Sequence, residues 1–454
     1  MAIKVTVMKF GGTSLEDAAA FERVALIVAN CDDLPVVIAS AMSGMTDALL
    51  ASLFTAANGE INGAVRFLEK HLERHERVAW SFGEAARAKI QMLVERTRHE
   101  VDEILNVAST TGSATPELAD AIASHGERLS AGLLTMILEA HGLPAFYVDA
   151  RRCLVTYEEH GNARPLIRET LRRSRTQLKP LLAERKIPVL EGFIAATRSG
   201  APSTMGRGSS NYTATLVSAA LGARETQIWT DVNGVLTADP ALVKRPRTIP
   251  KLSYDEAIKL ARFDTRVLHP RMMPPALERD IPVRICNSRS PQEKGTLIHR
   301  SREVSPEVIK AIAHKTNLAR IDIEAPPSLV ANGLLGRMKT IFDRYQTQMD
   351  FVTRSETRIS AACKEASPLY VIAYELQRFG QVEISTNLAI VSCVGEGLGR
   401  PKLTTKIVQR LRQIDPRLAW QRTSAVNLTT MVNGASSAST IRRLHSEIFE
   451  RDHP

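Results

Sequence analysis

From residue 1 to residue 298 the chain alternates short apolar runs with stretches whose hydrophobic residues return every three or four positions. The runs Val5–Phe10, Pro35–Ser40, Ala145–Asp149, Val189–Ile194, Gln227–Thr230 and Val283–Cys286 read as strands. Helical spacing marks Ala18–Ala29, Asp47–Ala56, Ile61–His75, Trp80–Leu105, Glu127–His141, Arg164–Arg185, Thr213–Leu221 and Ser253–Arg262. Apolar strands separated by helices predict an α/β fold, a mostly parallel sheet sandwiched by helices. Ligands in such sheets bind beyond the strand C-termini. The charged stretch Ile61–Leu105 reads as a surface helical hairpin, and the Ser/Thr-rich Asn106–Thr115 as a mobile loop.

After Leu297 the pattern changes. Lys310–Ala325 is strand-like, Gly333–Arg344 helical and Asp350–Ala361 strand-like again. A second round follows, with strands at Asn387–Gly395 and Val426–Val432 and helices at Leu403–Ile414 and Ser436–Phe449. Repeated βαβ units of this size predict tandem α+β modules of the ligand-sensing kind. The expected division is 1–298, 305–382 and 383–454.

Composition narrows the function. Of the 454 residues, 44% are hydrophobic and 24% charged, which suits a large globular protein of several domains. No apolar run is long enough to span a bilayer, and the N-terminus is strand-like, not a signal peptide. Five scattered cysteines without a Cys-x-x-Cys pair point to the reducing cytoplasm, not to disulfides or zinc. The net charge of +10 invites a nucleic-acid reading. Yet the basic clusters at Arg164–Arg175 and Arg185-Lys186 lie in amphipathic helices without interleaved aromatics, so nucleic acid is the weaker reading.

Candidate chemistry begins at Lys9-Phe10-Gly11-Gly12-Thr13-Ser14, at the exit of the first strand. Glycines admit close backbone approach to an anion, and Lys9 adds a cation there. Further motifs follow: His125-Gly126-Glu127-Arg128-Leu129-Ser130, Gly206-Arg207-Gly208-Ser209-Ser210-Asn211, Thr230-Asp231-Val232-Asn233-Gly234 running to Asp239-Pro240, Tyr254-Asp255-Glu256-Ala257, and Arg266-Val267-Leu268-His269-Pro270. No P-loop or protein-kinase motif set occurs.

These motifs, in this order, resemble those of the aspartate kinases, members of the amino-acid kinase family, from about Lys4 to Ile298. The tail resembles paired ACT regulatory domains, the second inserted within the first, which implies that the chain end can complete the first module. The resemblance implies transfer of the ATP γ-phosphate to the β-carboxylate of L-aspartate, with Mg²⁺ on the nucleotide, in a homodimer or homotetramer. A carboxylate acceptor is already ionised at neutral pH, so the chemistry needs charge compensation and positioning, not a general base. By resemblance, Lys9 bridges the transferring phosphate, and Gly11, Gly12 and Gly208 offer amides to the nucleotide. Arg207 grips carboxylates, Glu127 meets the substrate ammonium, and Ser40, Thr46, Ser210 and Asn211 line the acceptor. Thr230, Asp231, Leu236 and Arg266 attend the nucleotide.

Several positions depart from the family pattern. Ser209 and Asn211 replace a glycine and an aspartate, Leu236 a tyrosine, Ala241 an arginine, Asp264 a glycine and Arg266 a lysine. These departures leave open a kinase with another carboxylate acceptor, or a catalytically weak amino-acid sensor. In the tail, Asp350, Ser355 and Glu356 match effector-lining positions of the lysine-sensitive type, which implies a lysine-like effector. Ala331 and Ser328 depart there. Plainer readings attend other features: Thr13 and Ser14 as helix caps, Asp239-Pro240 and His269-Pro270 as turns, and Gly395-Glu396-Gly397-Leu398-Gly399 as a module turn. His71 and His75, four apart among charges, read as a solvated helix face, not a metal pair.

Overall fold

The computed structural model describes residues 4–263, 267–301, 308–414 and 421–450. Two compact units emerge: Met1–Val235 with Thr248–Ala261 and Thr265–Ser301, and Leu236–Arg247 with Arg262–Asp264 and Arg302–Pro454.

In the first unit eleven strands form among the described residues: β1 (Val5–Phe10), β2 (Leu34–Ala39), β3 (Ala145–Val148), β4 (Val155–Thr156), β5 (Ile187–Glu191), β6 (Ile194–Thr197), β7 (Pro202–Thr204), β8 (Glu225–Thr230), β9 (Lys251–Ser253), β10 (Val283–Asn287) and β11 (Thr296–His299). The main sheet has the order β3-β5-β2-β1-β8-β10-β11-β9, and only the β10–β11 pairing is antiparallel. β1 sits in its middle, so the chain after Phe10 emerges at the centre of the carboxyl edge. The expected strand Val189–Ile194 splits in two: Gly192 and Phe193, whose φ is 67°, turn the chain into the small sheet β4-β6-β7.

Among the described residues nine α-helices pack around this sheet: α1 (Ala18–Ala29), α2 (Met45–Ala57), α3 (Ile61–Ala79), α4 (Glu84–Thr111), α5 (Pro116–Ala140), α6 (Ile167–Ala183), α7 (Ser210–Leu221), α8 (Tyr254–Leu260) and α9 (Met273–Arg279). Two expectations fail here. The stretch Asn106–Thr115 is not a mobile loop, because α4 runs on to Thr111 and Thr115 already caps α5 by accepting from Leu118 N–H at 3.3 Å. The α3–α4 hairpin is not merely superficial either: Leu68, Leu72, Val94, Val101 and Leu105 are fully buried in the main core. His75 goes with them, buried, its Nδ1 3.0 Å from His71 O, and burial lowers its pKa to about 4. The solvated-face reading of His75 is therefore overturned.

The second unit carries β12 (Ala311–Glu324), β13 (Phe351–Arg354), β14 (Arg358–Lys364), β15 (Gln381–Val394), β16 (Gln421–Ser424) and β17 (Asn427–Asn433) in one antiparallel sheet, ordered β13-β14-β12-β15-β17-β16. Its helices are α10 (Pro327–Ala331), α11 (Leu334–Arg344), α12 (Leu369–Leu376), α13 (Pro401–Ile414) and α14 (Gly434–His445). Asp350–Ala361 is a hairpin, not one strand. Two cores divide this sheet. One gathers Ile321, Ile323, Phe342, Ile359 and Leu376; the other gathers Ile312, Val391, Leu411, Leu428 and Leu444. The border crosses β12 and β15 where their register shifts, near Asn317 and Asn387, both left-handed at φ 56° and 53°. The first residues of β12 thus pack with α14, and the expected boundary near 382 lies inside a continuous strand. Leu236–Arg247 also departs from the 1–298 division: Ala238 and Val243 join the second core, and Thr237 O accepts from Ile312 N–H at 2.7 Å.

Candidate active site

The site grows from the carboxyl edge of β1, β2, β5 and β8. Lys9 is the penultimate residue of β1 and registers with Ile38 and Ile228 on its two neighbours. Beyond it the chain must pass close under the β2 exit. A Cβ on Gly12 would lie 2.8 Å from Ala41 O, so only glycine fits; Lys9 Nζ would lie 3.5 Å from a Cβ on Gly11. The Gly11 N–H donates to Trp229 O at 3.0 Å. That corrects one assignment, because the Gly11 amide is spent within the protein and is not an anion donor.

Glu127 arrives on α5, which the sequence pattern placed too late. The helix is buried on every side from Ile122 to Leu138 apart from Arg128 and Met136, so it shows no clear amphipathic period. Gly126 lets it touch the β2 exit, since a Cβ there would meet Ala41 Cβ at 2.9 Å. Glu127 is buried and its Oε2 has no hydrogen-bond partner among the described residues. Burial pushes its carboxyl up to about 8, against the opposing pull of the Ala41 amide and the Lys9 ammonium. Burial likewise lowers Lys9 to about 8, although Glu127 acts to raise it.

The third wall is α7. Gly192 after β5 holds it close, because a Cβ on Gly192 would sit 2.4 Å from Ser210 Cβ. Gly192 N–H in turn donates to Ala39 O at 2.8 Å, beside Ser40, whose N–H donates to Phe10 O at 3.1 Å. Asn211 Nδ2 donates to Val267 O at 3.0 Å, while its Oδ1 and the Ser209 hydroxyl are buried without partners among the described residues. Arg207 is exposed and pairs with Asp47, next to Thr46 in the first turn of α2. Gly206 and Gly208 have φ of 87° and 77°, conformations that favour glycine.

The structure thus gathers Lys9, Gly12, Ser40, Thr46, Glu127, Arg207, Gly208, Ser210 and Asn211 around the β1–β2–β5 exits. Thr230 and the exposed Asp231 end β8 beside them, the Thr230 hydroxyl donating to Asp231 Oδ1 at 3.1 Å. Leu236 belongs to the second unit, and Asp264 and Arg266 lie outside the described residues. The effector trio does not converge: Asp350 precedes β13 and Ser355 and Glu356 follow it, which at about 3.3 Å per residue of extended chain separates Asp350 from them by roughly 16 Å or more.

Sequence reasoning missed Glu191, which is fully buried at the end of β5. The Tyr147 hydroxyl donates to its Oε1 and Ala150 N–H to its Oε2 at 2.7 Å; burial raises its pKa to about 6. A glutamate closing the apolar run Ile187–Leu190 was the available signal.

The sequence model of the amino acid kinase family matches residues 4–287. Aspartokinase 2 of Arabidopsis thaliana chloroplasts is 32% identical over 98% of this chain and 84% of its own. The chain belongs to the amino acid kinase family, among its aspartokinases. Lysine-sensitive aspartokinase 3 of Escherichia coli K12 is 30% identical, covering 98% of this chain and 100% of that one. The crystal structure of Escherichia coli aspartokinase III with aspartate and ADP, its R-state, superposes with a TM-score of 0.85 at 28% identity, over 98% of this chain and all of that one. The aspartokinase fold, an α/β kinase domain followed by an α+β tail, is therefore the fold of this chain. Among the described residues no helix is long and apolar enough to cross a membrane.

Proposed function

We propose that this chain transfers the γ-phosphate of ATP to the β-carboxylate of L-aspartate, giving 4-phospho-L-aspartate and ADP, under amino-acid feedback through its tail. The observation that carries this reading is the orphaned Glu127 Oε2, buried near the Lys9 ammonium at the glycine-lined edge. A buried carboxylate oxygen without a donor is costly, and a substrate ammonium is the partner that relieves it. Asn211 Oδ1 and the Ser209 hydroxyl add further unfilled polar positions. The acceptor carboxylate attacks phosphorus as the bond to the departing ADP oxygen breaks, and Lys9 compensates the charge on the transferring group. Arg207 keeps further guanidinium donors for a carboxylate beyond the one it gives Asp47.

Mg²⁺ fits as the nucleotide's companion. Among the described residues no group of three or more His, Cys, Asp or Glu could cage a metal, whereas Mg²⁺ needs only one or two carboxylates besides phosphate oxygens. Exposed Asp231 is the carboxylate that would hold it. The cation would neutralise charge on the phosphates.

A homo-oligomer and a cytoplasmic location belong to the same reading. Tyr370 and Tyr374 on α12 are 81% and 76% exposed, with Val371 beside them, an apolar face that suits a second copy. All five cysteines are free thiols, which suits a reducing compartment. The deciding assay is ADP release with hydroxylamine trapping of the acyl phosphate. It should depend on L-aspartate; release with another amino acid alone, or with none, rejects the proposal.

A further inference from the structure

Asp350 is already held by an ammonium from its own chain. Lys315 Nζ lies 2.7 Å from Asp350 Oδ1, and the two side chains are only 10% and 7% exposed. Asp350 Oδ2 is buried and has no partner among the described residues. The carboxylate therefore has one oxygen accepting from an ammonium and the other without a donor.

The two partners are not anchored alike. Asp350 N–H donates to Ala362 O at 2.8 Å, which fixes it to the regular hairpin of β13 and β14. Lys315 is the last residue of β12 before the register shift, two positions ahead of left-handed Asn317. The lysine side of the pair stands on the irregular backbone and is the side able to yield.

We propose that Lys315 is a built-in competitor at the tail's amino-acid site: its ammonium occupies Asp350 until a free cationic amino acid displaces it. This rests on the reading of Asp350 as an effector residue. A buried carboxylate stripped of its cation is strongly disfavoured, so one ammonium must replace another. The empty position on Oδ2 lets an incoming ammonium bind before Lys315 leaves. Every effector molecule then works against the internal contact, which weakens its apparent affinity without altering the site that recognises it.

The test is calorimetric titration of L-lysine into the full-length wild type, Lys315→Met and Lys315→Gln. The methionine removes the ammonium at similar length; the glutamine keeps a neutral donor for Asp350 and serves if the methionine variant does not fold, as thermal unfolding will show. Both variants should bind L-lysine about tenfold more tightly than wild type, the scale of one charged hydrogen bond. Asp350→Asn should bind it in no background. Equal or weaker binding by the folded Lys315 variants overturns the competition while leaving the effector reading intact. Absence of binding by wild type and both variants overturns the effector reading itself.

Discussion

The Lys9 ammonium and the Glu127 carboxyl are driven toward the same pKa from opposite sides: burial lowers the first to about 8 and raises the second to about 8. Each is opposed by the charge of the other, but desolvation dominates in both. The site without substrate is therefore short of countercharge, and an anionic nucleotide and an ammonium-bearing acceptor supply it from both sides.

Lys9→Ala should lower phosphoryl transfer by more than about tenfold, or roughly 1.4 kcal/mol. Its folded-state pKa is depressed, so the charged lysine weakens the fold below that pKa, and removing it should not lower the unfolding temperature. A variant retaining most of its rate in the aspartate-dependent assay would remove Lys9 from the phosphate.

Aspartate binding should release protons at pH 7. Glu127 is raised from 4.5 to about 8 in the free protein, so an arriving ammonium must ionise it. Affinity should climb as pH rises toward about 8 and then level off. Stability of the free protein runs the other way, falling as pH rises from 4.5 to about 8, because the folded state holds the extra proton. Glu127→Gln should flatten both profiles. Calorimetry in buffers of different ionisation enthalpy counts the protons directly.

Asn211→Asp should tighten aspartate binding, since it places a carboxylate where Oδ1 now lacks a partner. The structure adds a cost, because aspartate cannot donate to Val267 O as Nδ2 does. Stability should drop by about 1 kcal/mol. Denaturant unfolding and equilibrium titration of the same variant separate the two effects; unchanged or weaker affinity would point to an acceptor other than aspartate.

Gly192→Ala should damage the acceptor side more than the nucleotide side. The new methyl would lie 2.9 Å from Ser210 Cα, so the start of α7 must move. The KM for aspartate should rise at least about tenfold, with a smaller change in the KM for ATP. Equal changes in both would show that α7 does not frame the acceptor.

Much of the first unit was readable because its signals are local. Val5–Phe10 and Ala18–Ala29 appear with the bounds their patterns predicted, and the glycines at 12, 206 and 208 mark tight backbone. The start of α5 was not readable, since a helix buried all round shows no period. The small sheet β4-β6-β7 was missed because its strands have two to four residues.

The sequence by itself determined the alternation of strands and helices in the first unit, the placement of Lys9 and the glycines at a strand exit, and the kinase family those motifs belong to. Each depends on neighbours along the chain, through backbone sterics and side-chain periodicity. The tertiary structure alone decided which charges meet. It left Glu127 Oε2 without a partner, set Tyr147 on Glu191 across 44 residues, and set Lys315 on Asp350 across 35. It also drew Leu236–Arg247 into the second unit and kept Asp350 apart from Ser355 and Glu356. Pairings of this kind follow from burial and strand register over long separations, where the cost of an unpaired charge selects the partner and no local pattern records the choice.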